Sequence, residues 1–355
     1  MDTFNLLALP LVARRHILQN CSLLDLFNFS RISTETYSIV KNAGVRAKSG
    51  LSLEETDVLL TFCYPFEINE LTWIFGRPED FYEGIQGVTI VDAKPLVING
   101  TEFCIQFAED RPCELYTKPL ELSKRISTIF GYFGDLFNCT SYSNILLKAQ
   151  FSDAVTTTLS GLEPRRTDLL RFENSSISGT ELSSMLERLD YTKRIALDGF
   201  FTGYLDCSKL ASTRSIHFTK HNVTSAAFLK LKTSNIYLEG VSYSEKVLTR
   251  FVNQWLKSTD SQLESVILKI HEPGIWDFAE QFYEKFNALA WHSKRRAKMY
   301  KWKEELFLDP NDDPICEWDC SEARDIVRSD GLLASIRLTA TSFEMFVWHK
   351  RFNDY

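Results

Sequence analysis

Cys316 and Cys320, four residues apart in CEWDC, are the pair in this chain closest to a metal-binding spacing. Tetrahedral zinc takes four Cys or His ligands, and no second pair at suitable spacing accompanies this one, so no metal site is assigned. The other six cysteines, Cys21, Cys63, Cys104, Cys113, Cys139 and Cys207, are scattered. Most lie in apolar or strand-like stretches and read as reduced, buried thiols. His16 sits among apolar residues and suits an interface better than a general base. His217 stands between Ile216 and Phe218, so on a strand it points away from the buried face. His271-Glu272-Pro273 reads as a strand-to-helix turn. There is no Gly-Lys pair for a phosphate-binding loop, and no G-x-G-x-x-G, G-x-S-x-G or H-E-x-x-H. No catalytic residue and no cofactor is assigned, and the chain reads as a non-catalytic protein.

One segment offers charge instead. His292 to Lys303, HSKRRAKMYKWK, carries six Lys or Arg residues with Tyr300 and Trp302 interleaved. Two readings are open: a nuclear-localisation or nucleic-acid patch, and a solvated helix face balanced by Glu304-Glu305. The second is favoured, because charge runs are usually solvent-facing. The whole chain, at 355 residues with a net charge of −7, argues against nucleic acid as the main partner. Its 44% hydrophobic and 25% charged residues are those of a globular protein. No apolar run approaches membrane-spanning length. At the start, MDTFNLLALPLVARR has its arginines after the apolar stretch, the wrong order for a signal peptide. A cytosolic or nuclear chain without a membrane partner is expected, and its five N-x-S/T sequons are read as chance matches.

Element signals are densest between Leu9 and Val40. Pro10 suits a first helical turn, where its missing N–H costs nothing. Val12, Ala13, His16 and Ile17 follow at helical spacing. Ser22 with Asp25 resembles an N-cap with an acid in the first turn, ahead of Leu23, Leu24, Leu26 and Phe27. Ser33 caps a third helix carrying Tyr37 and Val40 inward. Three helices this short bury too little surface to be stable alone, so the unit is expected to complete its core against a partner.

This pattern resembles an F-box, in Leu9-Pro10, Ile17-Leu18, Leu24, Leu26, Phe29-Ser30, Ser33 and Val40. It departs in two places: Leu11-Val12 replace the acid that often follows Leu-Pro, and Thr36 or Tyr37 replaces the usual tryptophan. A generic three-helix cap is the plain alternative. The resemblance implies a Skp-family adaptor, and through it a cullin, bound by Leu9, Pro10, Val12, Ile17, Leu18, Leu24, Leu26 and Phe27. Three later segments, 119–139, 251–268 and 324–349, look like the F-box-associated domain of the large nematode F-box families. Together the two resemblances imply the substrate-recognition subunit of an SCF-type ubiquitin ligase, with an unknown protein target. An adaptor-bound scaffold acting without ubiquitination is the alternative.

The expected organisation is an F-box at 1–45, a helical linker at 46–87 and an F-box-associated domain at 88–355. Ser52 with Glu55 resembles a capping box for a helix through Leu60. From Val88 the period changes to that of strands, with Asn99-Gly100 as a turn, and Pro119 starts a helix ending near Phe137. Apolar pairs then recur at Leu170/Phe172, Ile195/Leu197, Ile216/Phe218, Ile236/Leu238 and Val266/Leu268. Ser178 and Glu181 cap a helix between two of them, and Val247, Phe251 and Trp255 share a face of another. The fold class is therefore α+β or α/β: a small three-helix F-box, then a degenerate leucine-rich-repeat-like strand–helix array with flanking antiparallel strands. An unrelated mixed sheet with helices on one face is the alternative. Strands follow at RDIVRSDG, with a turn at Asp330-Gly331, then at SIRLTAT and SFEMFVW.

If the apolar pairs point inward, their neighbours form an outward row: Arg171, Ala196, His217, Tyr237 and Ile267, flanked by Asp198, Glu239 and Lys269. Arg171, His217, Tyr237 and Lys269 are the expected target-binding residues, since tyrosine and arginine are common anchors. The competing expectation is that the chain's own C-terminal strands cover this face.

Overall fold

The computed structural model describes residues 6–54, 58–64, 70–76, 90–92, 95–108, 111–117, 121–148, 153–203, 206–210, 213–219, 223–270, 278–302, 307–308, 314–315 and 317–349. The chain divides into two compact units, 1–170 with 188–190, and 171–187 with 191–355. This division follows neither of the expected boundaries, at 45 and 87.

In the first unit a 3-10 turn at Leu6–Ala8 leads into α1 (Leu11–Leu18), α2 (Leu23–Ser30) and α3 (Thr34–Asn42). The caps lie where the sequence puts them. Ser22 Oγ accepts the Asp25 N–H at 3.1 Å, and Ser33 exchanges bonds with Thr36 in a reciprocal capping box. Helix α1 keeps the expected partner-facing residues Val12 and Ile17 out of the chain's own core. Leu18 is buried, while Val12, His16 and Ile17 are exposed.

The expected helix from Ser52 to Leu60 is absent. Instead β1 (Lys48–Leu53), β2 (Val58–Cys63) and β3 (Glu70–Phe75) form an antiparallel meander, so the described residues of the expected helical linker, 46–87, form strands and no helix. The alternation of Leu51, Leu53, Val58, Leu60 and Phe62, all buried, outweighs one polar pair that looks like a cap. Next come β4 (Ile90–Asp92), β5 (Leu96–Ile98), β6 (Thr101–Phe103), β7 (Ile105–Ala108), β8 (Arg111–Thr117), α4 (Leu122–Phe137), β9 (Tyr142–Leu147) and α5 (Asp153–Ser160). The strands of this unit are ordered β9-β1-β2-β3-β8-β7-β4, and β5 pairs with β6 separately. Their turn has Asn99 at φ 45° and Gly100 at φ 76°, the two left-handed residues that a tight hairpin needs. Helix α4 buries Ile126, Ile129, Phe130, Phe133, Leu136 and Phe137, a helical stripe. Phe133 stacks on Phe62 of β2 at 4.5 Å, and Phe130 meets Tyr142 of β9 at 4.4 Å.

Strand β10 (Arg166–Ser178) carries the chain into the second unit. There follow α6 (Gly179–Leu186), β11 (Tyr191–Thr202), β12 (Ser215–Thr219), α7 (Ser225–Phe228), β13 (Asn235–Glu239), α8 (Glu245–Lys257), β14 (Ser265–Lys269) and α9 (Ala279–Lys285). The end of the chain adds β15 (Met299–Lys301), β16 (Phe307–Leu308), β17 (Pro314–Ile315), β18 (Glu317–Asp319), β19 (Arg324–Val327), β20 (Leu333–Leu338) and β21 (Ser342–Trp348).

Strands β11 to β14 are parallel, and the apolar pairs fall in register: Ile195, Ile216, Ile236 and Val266 are consecutive partners. All are buried. Ser178 and Glu181 form the expected capping box on α6. On α8 the buried stripe is Leu248, Phe251, Val252 and Trp255, which includes the expected Phe251 and Trp255, while Val247 is only half-buried. Strands β21, β20 and β19 continue the sheet antiparallel beyond β14. Three N-terminal helices are thus followed by mixed α/β structure with a large sheet and small antiparallel pairs.

Candidate functional site

The N-terminal helices divide into a packed side and an open side. Leu18, Leu26 and Phe27 were expected to touch a partner. Each is 1–2% exposed, so they form the interior that holds the helices together. Phe27 packs against Phe133 at 5.0 Å, Tyr132 at 6.0 Å and Trp73 at 6.2 Å. Ser30 Oγ lies 2.8 Å from Tyr132 Oη. Tyr37 Oη and Lys41 Nζ both donate to the Asp135 carboxylate, each at 2.6 Å. These bonds hold that carboxyl below its ordinary value, and burial together with Asp135 pushes the Tyr37 phenol up. Tyr64 Oη donates to the Cys21 carbonyl at 2.6 Å. The three helices therefore complete their core against α4 and β3 of their own chain, not only against a partner.

The open side carries exposed apolar residues among polar ones. Eight large apolar residues are exposed among the described residues: Leu7, Leu11, Val12, Ile17, Ile32, Val97, Leu289 and Val327. Five of these lie between positions 7 and 32, a concentration that solvation does not explain. Leu11 and Val12, at 69% and 81% exposed, open α1. Pro10 is its exposed N-cap, and Leu9 and Leu24 are half-buried. Arg14 Nη2 donates to the Leu7 and Leu9 carbonyls at 3.2 and 3.1 Å, fixing the preceding turn onto α1. Sequence reasoning picked out Val12 and Ile17 and missed Leu7, Leu11 and Ile32. The signal was present in Leu11-Val12, an apolar pair where the family pattern often has an acid.

The outward row of the second unit is in register as expected, with Ala196, His217, Tyr237 and Ile267 as consecutive partners. It is not an open face throughout. Tyr237 is 5% exposed and Ile267 is fully buried, packed with Tyr300, Trp302, Cys320, Ala323, Phe346 and Trp348. The chain's own C-terminal strands cover this part, so Tyr237 is not placed on a binding surface. Burial raises the Tyr237 phenol, and Lys269 Nζ sits 5.3 Å above its ring. Lys269 and His217 are half-buried, and the His217 ring meets Tyr237 edge-on at 4.2 Å. Arg171, also half-buried, pairs through Nε with Glu173 Oε1 at 3.0 Å.

The basic segment is neither a helix nor a free patch. Arg296 is buried and its Nε contacts Asp325 Oδ1 at 2.7 Å, with Arg295 on the other oxygen at 3.2 Å. Lys298 pairs with Asp319 and Lys301 with Glu317 across the β15–β18 ladder. Tyr300 and Trp302 point into the aromatic cluster. Glu304 and Glu305 lie outside the described residues, as do Cys316 and His271 to Pro273. Cys320 is buried, and burial pushes its thiol up to about 12, which keeps it protonated. Among the described residues no group of His, Cys, Asp or Glu could hold a metal ion, and no helix is long and apolar enough to cross a membrane. A groove of about 340 Å³ runs between Val223–Ser225 and Val241–Val247. Hydroxyl and valine side chains line it, without a carboxylate, imidazole or thiol.

Residues 6–48 match the F-box domain family. They contain the three N-terminal helices, and the chain carries an F-box. F-box proteins in general are non-catalytic, and the domain generally binds Skp-family adaptors and through them cullins. No curated protein and no solved structure matches the chain.

Proposed function

We propose that the chain is the substrate-recognition subunit of an SCF-type cullin–RING ubiquitin ligase. The F-box docks a Skp-family adaptor through Leu7, Leu11, Val12 and Ile17, with Leu9, Pro10 and Leu24 at the margin. The second unit holds a protein target. The observation that carries the reading is an F-box match on a segment that exposes Leu7, Leu11, Val12, Ile17 and Ile32. Isopeptide chemistry belongs to other subunits, and this chain contributes proximity. That role belongs to the cytosol or nucleus.

For the target we propose the half-buried part of the sheet row, around Arg171, Ala196 and His217, with Lys269 at its far side. The row stands on a rigid ladder, which favours recognition. The resemblance of residues after 87 to the nematode F-box-associated domain supports the same division of labour.

The test compares ubiquitinated proteins in cells carrying the intact chain and its Val12→Asp variant. Deleting the F-box would confound the result, because it strips Phe27 from α4. A set of proteins whose ubiquitination is lost with Val12→Asp supports the reading, and identical sets contradict it. Co-purification of the adaptor without a cullin would favour the scaffold reading instead.

A further inference from the structure

We propose that the F-box and α4 open and close as one cooperative unit, so that an adaptor docked on the F-box also protects α4. The coupling is drawn from contacts within the first unit. Its regulatory use rests on the adaptor reading above. Tyr132 and Asp135, three residues apart on α4, share one helix face. That face reaches two helices: Tyr132 meets Ser30 and Phe27 of α2, and Asp135 holds Tyr37 and Lys41 of α3. Between them Phe133 is fully buried, with Phe27 at 5.0 Å and Phe62 of β2 at 4.5 Å. The stretch after α3 is tied in as well: the Ala47 N–H donates to the Phe137 carbonyl at 3.4 Å, and Cys139 Sγ to the Ala47 carbonyl at 2.9 Å.

Neither part keeps its core alone. Lifting α2 and α3 exposes Phe133 and Tyr132, and losing α4 strips Phe27. Three helices this short cannot replace that burial among themselves. The buried groups weigh more than the polar ties, since Lys41 and Asp135 are each about half exposed and such pairs are weak. A ligand that binds only the closed form slows opening of everything that opens with it. Phe130 and Phe133 are already 2% and 0% exposed, and no exposed large apolar residue lies on α4, so their protection cannot come from direct cover by the adaptor.

Native-state amide exchange on the full chain tests this in two arms. In the first, without adaptor, Phe27→Leu and Ser30→Ala are each compared with the native sequence. The expected result is that exchange at Phe130 and Phe133 speeds up by the same factor as at Leu26 and Phe27, about tenfold for Phe27→Leu. Acceleration confined to residues 6–48 overturns the coupling. In the second, a purified Skp-family adaptor is added at about a hundredfold over its Kd, and exchange at Phe130 and Phe133 should slow about a hundredfold. Slowing confined to the F-box overturns the proposal. If the adaptor does not bind the native chain, the adaptor reading fails, and the first arm still decides the coupling.

Discussion

Val12 and Leu26 carry similar apolar side chains to opposite fates within one domain. Val12 is 81% exposed and Leu26 1%. Val12→Asp should therefore leave the melting temperature unchanged while placing a charge in an apolar interface, at a cost of about 2 kcal/mol or more in adaptor binding. Leu26→Ala should do the reverse, lowering stability by about 2–5 kcal/mol through a cavity, with adaptor affinity falling only as far as the fold is lost. Thermal melts alongside adaptor binding separate the two. In the second unit Asp325 is fully buried and accepts from Arg295, Arg296 and Ser335. Arg296→Met leaves that carboxylate half-compensated by Arg295, so a loss of about 3 kcal/mol in denaturant stability is expected. A neutral result would mean that Arg295 alone satisfies Asp325.

At the scale of elements, sequence legibility followed periodicity. The strands of the parallel ladder were readable because Ile195/Leu197, Ile216/Phe218 and Ile236/Leu238 recur at alternate positions. The caps at Ser22, Ser33 and Ser178 were readable because each places a hydroxyl three residues before the N–H it accepts. Ser178→Ala should cost about 0.5–2 kcal/mol, seen as faster amide exchange in α6. The stretch from Leu51 to Phe62 misled because Ser52 and Glu55 imitate a cap, while the alternation that decides the strands spans two elements. In β1 the Ser52 hydroxyl donates instead to Glu54 Oε1, at 3.2 Å. The outward row was legible in register but not in exposure. Tyr237 is covered by Tyr300, Trp302 and Trp348, which arrive much later in the chain, and alternation says nothing about what later covers a face. The open side of α1 was legible in part: Val12 and Ile17, read as facing a partner, are exposed, whereas Leu18, read the same way, is buried, because apolar spacing alone does not tell a partner-facing position from a core one.

For the whole molecule, the structure supports a division between an F-box built into the first unit and a second unit on a parallel ladder closed on one side by aromatic residues. The central claim is that the exposed apolar residues of the F-box bind a Skp-family adaptor. Its most direct measurement is calorimetric titration of a purified Skp-family adaptor into the full chain and into Val12→Asp, with thermal melts of both. The account predicts one-to-one binding to the native sequence, and at least about thirtyfold weaker binding to a variant that melts at the same temperature. Equal affinity for the two chains, or no binding to the native chain, would contradict it.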